Sequence, residues 1–272
     1  IIYTVLTIAE IISLLCCKIP LFDSVTTAFA TAGTGGFSVK NTSIAAYDNI
    51  GAEIVISLFM LLFGINFNLF YLFLVKQFRR VFKSEELWSY LGIIATSILL
   101  ISFNVYPLVE NFGTALRQAG FQVISIITTT GFVTADFAQW PMFSQMILFV
   151  LMFIGACAGS TSGGLKIIRV VFIYKYLKNE ISKIIHPAAI YPIKLEGRST
   201  PEDVKIQLVG FILFYFVIFG LSTISTAFIE KNTLVALSGS IATLSNTGCG
   251  FGEIIGLTGN FSSLSPITKL IF

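Results

Sequence analysis

Three short patches of glycine and hydroxyl residues are the part of this sequence best suited to binding ions. They read Ala32-Gly33-Thr34-Gly35, Thr128-Thr129-Thr130-Gly131 and Ser245-Asn246-Thr247-Gly248. Glycine allows unusual dihedral angles and close approach, and the backbone carbonyls of such a run can replace a cation's hydration shell. One patch alone is equally typical of a helix C-cap followed by a turn. Because three copies end in Thr-Gly, we predict a filter that binds K⁺, with no acidic side chain of the kind a calcium filter would carry.

A run of small residues interrupts the apolar segment that begins near residue 141. Several glycines destabilise a helix by ~1 kcal/mol each relative to alanine, so we expect a flexible loop at 155–165 that gates a pore. Close helix packing by small residues is the alternative, and a phosphate-binding loop is disfavoured because GxxxxGK[ST] is absent. Lys166 and Arg169 follow and are candidates for coupling the gate to a partner. The predicted gate residues are Gly155, Gly159, Ser160, Thr161, Ser162, Gly163 and Gly164.

The composition excludes most soluble classes. Of 272 residues, 55% are apolar and 11% are charged, and the mean hydropathy is +0.88, whereas soluble proteins are typically ~25% charged. A net charge of +3 is too small for a nucleic-acid interface. We therefore predict an all-α polytopic membrane protein that is not an enzyme. A coupled transporter of an organic solute or of sodium is the alternative function, and an assembly scaffold is a residual one.

Long apolar runs alternate with shorter segments that cannot cross ~30 Å of hydrocarbon. The long runs lie at about 1–15, 52–75, 87–106, 141–165 and 204–229, with a sixth starting near 264. The shorter, helix-compatible segments lie at 22–38, 112–136 and 233–252. Most of the 17 basic residues fall in 76–86 and 166–203, which places these connections in the cytoplasm. The unit of helix, re-entrant pore loop and helix thus occurs about three times around a central pore.

This repeat divides the chain into four parts. Residues 1–80, 81–185 and 204–272 each hold one unit, the last one cut short, and 186–203 form a cytoplasmic connector. The basic and apolar stretch 175–203 suits either a docking surface for a soluble regulatory subunit or contact with lipid headgroups. Since both ends fall inside apolar runs, we expect an internal piece of a longer protein.

Five segments resemble the Trk/Ktr/HKT family of cation transporters, and the connector resembles that of its TrkH-type branch. They are TAGTGGFS (31–38), TTTGFVTAD (128–136), GACAGSTSGGLKIIR (155–169), HPAAIYPIKLEGR (186–198) and LSNTGCGFG (244–252). The resemblance covers essentially the whole chain.

The resemblance implies four pseudo-repeats around one pore, of which this chain would carry the second, third and fourth. It implies potassium uptake across a cell inner membrane or plasma membrane, passive or weakly coupled as a symport. Residues 155–165 would form an intramembrane gate beneath the filter, controlled by a cytoplasmic nucleotide-binding subunit of the TrkA type. A homodimer in the lipid bilayer and no covalent cofactor are also implied. Without the first filter segment, the piece should not conduct unaided.

Overall fold

The computed structural model describes residues 1–109, 111–185, 192–252, 254–256 and 261–272. Apart from one short hairpin, the regular structure of these residues is helical, which confirms the predicted fold class. The helices are α1 (Ile2–Cys16), α2 (Leu21–Ala32), α3 (Ile50–Phe63), α4 (Phe67–Leu74), α5 (Phe78–Val81), α6 (Glu85–Val105), α7 (Phe112–Ile127), α8 (Met142–Ile154), α9 (Ile167–Ile185), α10 (Glu202–Glu230), α11 (Thr233–Leu244) and α12 (Pro266–Ile271).

Two helical segments are long and apolar enough to cross a membrane by themselves among the described residues. They are Glu85–Leu108 and Glu202–Glu230. The apolar run 52–75 is not one straight helix, because α3 and α4 meet at 89°, as in a broken span or a re-entrant loop. The bend falls at Gly64, whose carbonyl accepts a hydrogen bond from the backbone N–H of Cys157 at 3.1 Å and so is paired outside the helix ladder. The run 141–165 likewise ends as a helix at Ile154.

The three short segments form α2, α7 and α11, each followed by irregular backbone, as the sequence predicts. Polar caps begin two of them: the side chain of Asn111 accepts from Thr114 N, and that of Asn232 accepts from Leu234 N and Val235 N. Helix α7 packs against α3, α6 and α8 and buries almost its whole C-terminal half. The patch that follows α7 therefore lies in the middle of the main core.

The connector contains the hairpin. Strands β1 (Lys194–Leu195) and β2 (Arg198–Ser199) pair antiparallel, with Lys194 opposite Ser199. Residues 186–191 of the predicted connector, which include the histidine of the HPAA motif, lie outside the described residues. The hairpin packs at the start of α6, and this contact matters for the site below.

Candidate functional site

The same backbone turn follows each of the three short helices. A left-handed residue comes directly after the C-cap, and a left-handed glycine comes two residues later. The first position holds Thr34, Thr129 and Asn246, at φ of 48°, 54° and 58°; the second holds Gly36, Gly131 and Gly248, at φ of 65°, 77° and 82°. Left-handed backbone costs ~1–2 kcal/mol for a residue with a side chain. Three identical strained turns therefore indicate one repeated structural unit.

The first patch is displaced by one residue from the alignment on Thr-Gly. The residue before each left-handed glycine donates its N–H five positions back: Gly35 to Ala30, Thr130 to Ser125 and Thr247 to Ala242. Gly36, not Gly35, is thus the equivalent of Gly131 and Gly248. The shared Thr-Gly dipeptide is misleading in the first copy, where Thr34 occupies the left-handed position. The doubled glycine at 35 and 36 is the signal that could have identified Gly36.

The left-handed glycines bring the patches side by side. A methyl group on Gly36 would overlap the carbonyl oxygen of Thr130, and one on Gly131 would overlap that of Thr247. A methyl group on Gly248 would meet no described atom within 4 Å. The first patch therefore contacts the second, and the second contacts the third, so that the three form an arc. The arc is open beside Gly248 of the third patch.

All three patches are largely buried. Their fully buried residues are Ala32, Thr34, Thr128, Thr129, Thr130, Ser245 and Thr247, while Gly33, Asn246 and Gly248 are exposed. Hydroxyl groups pair within two of the patches: Thr128 with Thr130 at 2.9 Å, and Ser245 with Thr247 at 2.8 Å.

The arc borders a cavity of about 710 Å³. All three patches contribute to its lining through Gly35, Gly36, Gly131, Asn246, Thr247 and Gly248. Lys40 and Lys269 also line it. The cavity is not lined by the remaining predicted filter residues, which are Ala32, Gly33, Thr34, Thr128–Thr130 and Ser245. The lining brings glycine backbone from all three patches to one shared space, and backbone carbonyls can bind a cation without a fixed negative charge.

Hydrogen bonds join the loop that follows the first patch to the backbone that follows the second patch. Val133 N donates to Ser43 Oγ at 3.2 Å, and Ala45 N donates to the carbonyl of Val133 at 3.2 Å. Tyr47 donates its phenol to Asp23 Oδ2 at 2.8 Å. Burial, assisted by the bond to Asp23, raises the pKa of Tyr47 to about 12, so this phenol remains a donor at neutral pH. These bonds fix the position of the first patch relative to the second.

The predicted gate, residues 155–165 and called the gate loop below, contacts all three patches. Thr34 Oγ1 donates to the carbonyl of Thr161 at 3.0 Å, and Gly163 N donates to Thr129 Oγ1 at 2.7 Å. A methyl group on Gly163 would overlap the carbonyl oxygen of Ser245. The predicted gate residues are thus brought directly against the predicted filter residues.

The two ends of the gate loop are joined. Leu165 N donates to the carbonyl of Phe153 at 3.0 Å, and Lys166 N donates to that of Ile154 at 2.8 Å. Gly155 and Gly164 lie at this closure with φ of 71° and 73°, and a methyl group on Gly155 would overlap Gly163 O. The end of α8 and the start of α9 therefore lie side by side, and the loop between them forms a compact unit.

Other helices hold the tip of the gate loop. Gly64 accepts from Cys157 N, and Phe67 N donates to the carbonyl of Gly159 at 3.2 Å, so the loop satisfies backbone groups freed by the bend between α3 and α4. Ala158 N donates to Glu86 Oε1 at 2.6 Å. Irregular backbone at membrane depth requires such internal partners.

The connector hairpin contacts the N-terminal end of α6, where Glu86 lies. Glu196 Oε1 accepts from Ser84 Oγ at 3.0 Å and from Glu86 N at 2.9 Å. Lys175 Nζ lies 2.5 Å from Glu85 Oε2 and donates to the carbonyl of Lys194 at 2.8 Å. Glu86 and Glu196 were missed by sequence reasoning, because these contacts join distant parts of the chain and no local pattern marks them.

Both predicted coupling residues contact the protein interior. The Lys166 ammonium donates to the carbonyl and to the hydroxyl of Ser162. Arg169 Nη1 donates to Leu165 O at 2.7 Å, and its guanidinium lies 4.0 Å from the ring centre of Phe211 on α10. Together they attach the end of the gate loop to α9 and α10.

Comparison with known proteins gives concordant matches. Residues 1–272 match the family TrkH, described as cation transport protein. The chain is 34% identical to the Trk system potassium uptake proteins TrkH of Salmonella typhimurium and of Escherichia coli K12, over 99% of this chain and 56% of each relative. It also superposes on the crystal structure of the potassium transporter TrkH from Vibrio parahaemolyticus with a TM-score of 0.91 at 30% identity, covering 99% of this chain and 58% of that one. The chain thus spans about half the length of the curated relatives it matches.

Proposed function

The chain belongs to the TrkH family of cation transport proteins, and from this premise we propose that its parent protein takes up K⁺ across the cell membrane. The three patches would supply three segments of one selectivity filter. A fourth segment would occupy the open side beside Gly248, which has no described neighbour there. Conduction would then require the full-length parent.

The observation that carries this proposal is the arrangement of Gly36, Gly131 and Gly248. Each lies at the same place in an identical turn, and two of the three press directly against the next segment's carbonyl. This supports a ring of backbone oxygens of the kind that can replace the hydration shell of K⁺. The filter residues carried by this chain are Ala32, Gly33, Thr34, Gly35, Gly36, Thr128–Gly131 and Ser245–Gly248.

We further propose that residues 155–165 gate this pore. The bonds from Thr34 and to Thr129 support a closed position of the loop directly against the filter. Opening would break these two bonds and the bond between Ala158 and Glu86. Each involves a polar group that must find another partner, at a cost of about 1–3 kcal/mol if left unpaired.

A cytoplasmic nucleotide-binding subunit would act through the connector and α9. Glu196 touches the start of α6, and Glu86 on that helix holds the loop tip. Lys166 and Arg169 would transmit movement of α9 and α10 to the gate loop. Lys166 donates to Ser162 of that loop, and Arg169 donates to the carbonyl of Leu165. Helix α10 exposes Phe214, Leu221 and Phe228, which supports a surface that faces lipid or a second subunit of a homodimer.

Uptake of an organic solute is less well supported. Transporters of that kind bind substrate at charged or aromatic groups beside broken helices. The cavity beside the patches does hold such groups, namely Phe37, Phe261 and Phe272 and the two lysines, Lys40 and Lys269. Solute binding does not, however, account for the three repeated turns and their closely packed glycines.

The test is cation uptake by liposomes that contain the full-length parent. We expect rubidium uptake to exceed sodium uptake, and excess external K⁺ to compete with rubidium. Equal uptake of both ions, or uptake of neither with transport of an organic cation instead, would contradict the proposal.

A further inference from the structure

Four basic side chains line an open surface cavity in the segment that joins α4 to α6. The basic loop, residues 76–83, carries Lys76, Arg79, Arg80 and Lys83, and all four are exposed. With Gln77 and Phe78 they line a cavity of about 650 Å³. None of the four forms an ion pair with a carboxylate in the described parts of the chain. The cavity is therefore a concentrated positive site without an internal counter-ion.

Large apolar side chains border this site on the surface. Phe73 and Leu74 at the end of α4, Phe82 in the basic loop and Trp88 on α6 are all more than half exposed. The Trp88 indole donates Nε1–H to the carbonyl of Phe82 at 2.9 Å, which holds the ring against the backbone of the basic loop. Aromatic residues next to cations are typical of the boundary between headgroups and acyl chains.

The direction of α4 is consistent with this location. Because α4 leaves α3 at 89°, it runs along the membrane plane if α3 crosses the membrane. A helix in that position can place apolar side chains among the acyl chains while the adjoining cations remain at headgroup level. The excess of basic residues puts this level at the cytoplasmic leaflet.

We propose that the basic loop binds the phosphodiester headgroup of an anionic phospholipid of the cytoplasmic leaflet. The four cations would contact the phosphate, and Phe73, Phe82 and Trp88 would contact the first carbons of the acyl chains. Juxtamembrane cations attract anionic lipid with a free energy that corresponds to about a fivefold gain in affinity per residue. This inference goes beyond the proposed function, since it assigns a ligand to a site outside the pore.

The site is also connected to the gate loop. Leu69 of α4, Val81 of α5 and Leu87 of α6 form one buried cluster. The first residue of α4, Phe67, donates to the carbonyl of Gly159. Lipid bound at the basic loop would therefore stabilise the helices that hold the loop tip, a consequence that depends on the proposed gate.

Quenching of Trp88 fluorescence by brominated lipids tests the site without measuring transport. The full-length protein is placed in phosphatidylcholine liposomes that contain increasing fractions of dibrominated phosphatidylglycerol. The contribution of Trp88 is obtained by subtracting the signal of Trp88→Phe. We expect half-maximal quenching at a lower fraction of brominated phosphatidylglycerol than of brominated phosphatidylcholine.

The variant Arg79→Gln/Arg80→Gln should raise the half-maximal fraction of brominated phosphatidylglycerol at least fivefold. Lys178→Gln/Arg198→Gln removes the same charge from exposed cytoplasmic positions and should leave it unchanged. Unchanged quenching by brominated phosphatidylcholine in both variants verifies that Trp88 keeps its depth and that the protein is folded.

Equal quenching by the two lipids, or an unchanged response of Arg79→Gln/Arg80→Gln, would overturn the proposal. If that variant keeps its lipid response but loses control by the cytoplasmic subunit, the basic loop is a protein-docking surface, and the lipid site is likewise rejected. Failure of rubidium uptake would overturn the proposed function alone, because the quenching requires no open pore.

Discussion

The carboxylate of Glu86 accepts a hydrogen bond from the backbone N–H of Ala158 at 2.6 Å. Glu86 is only 4% exposed and lies in the first turn of α6, where helix N-termini favour negative charge. Its own N–H donates to Glu196 in the connector hairpin. One residue thus links the connector hairpin to the tip of the loop at 155–165.

Replacing Glu86 with alanine should release the gate loop. A hydrogen bond to a charged group contributes roughly 1.5–3 kcal/mol, so we expect rubidium uptake without the regulatory subunit to rise about tenfold or more. Glu86→Gln keeps an acceptor oxygen and should show a smaller increase. The exposed Glu202→Ala is the matched control. Unchanged basal uptake in a folded Glu86→Ala protein would exclude this tether.

Removing the hydroxyl groups by which two residues of the proposed filter bind the gate loop should also favour opening. Thr34→Ala and Thr129→Ala each delete one bond to the gate loop, and we expect each to raise basal rubidium uptake severalfold. The corresponding serine variants keep the hydroxyl and should behave like the parent. If alanine and serine variants are indistinguishable, these two bonds do not hold the gate closed.

The register of the first patch gives a prediction that separates neighbouring glycines. Gly36→Ala places a methyl group against the carbonyl of Thr130 and requires a left-handed alanine, so rubidium uptake should be lost or nonselective. Gly35→Ala meets only the side chain of Phe37, at 3.2 Å, and should retain most of the uptake. A larger loss of uptake in Gly35→Ala than in Gly36→Ala would show that Gly35 is the equivalent of Gly131, as the alignment on Thr-Gly has it.

Deleting the Glu196 carboxylate should uncouple regulation from the pore. Glu196→Ala removes the acceptor for Ser84 Oγ and Glu86 N, so we expect uptake to respond severalfold less to the regulatory subunit. Ser199→Ala, on the same hairpin and exposed, serves as the control. An intact regulatory response in Glu196→Ala would show that the connector acts by another contact.

The sequence predicts the positions of the three short helices and their patches better than the contacts between them. Apolar length and the Thr-Gly patches are local signals, so the ends of α2, α7 and α11 and the break after Ile154 were predicted. The bend after α3 was missed although Gly64, which ends α3, and Asn66, whose side chain caps α4, are local signals for it. The equivalence of Gly36 was missed because it depends on backbone dihedral angles, and the dipeptide Thr34-Gly35 imitates the later copies. The contact of Glu86 with Ala158 could not be predicted, because it depends on how α6 packs against the gate loop.

The most direct test of the filter is the ratio of rubidium to sodium uptake in the full-length Gly131→Ala variant. Gly131 lies in the middle patch against the carbonyl of Thr247. Gly210→Ala on α10, where a methyl group meets nothing within 4 Å, is the matched control. We predict that the ratio falls to about one in Gly131→Ala and keeps the parent value in Gly210→Ala. A parental ratio in Gly131→Ala, with uptake intact, would contradict the account.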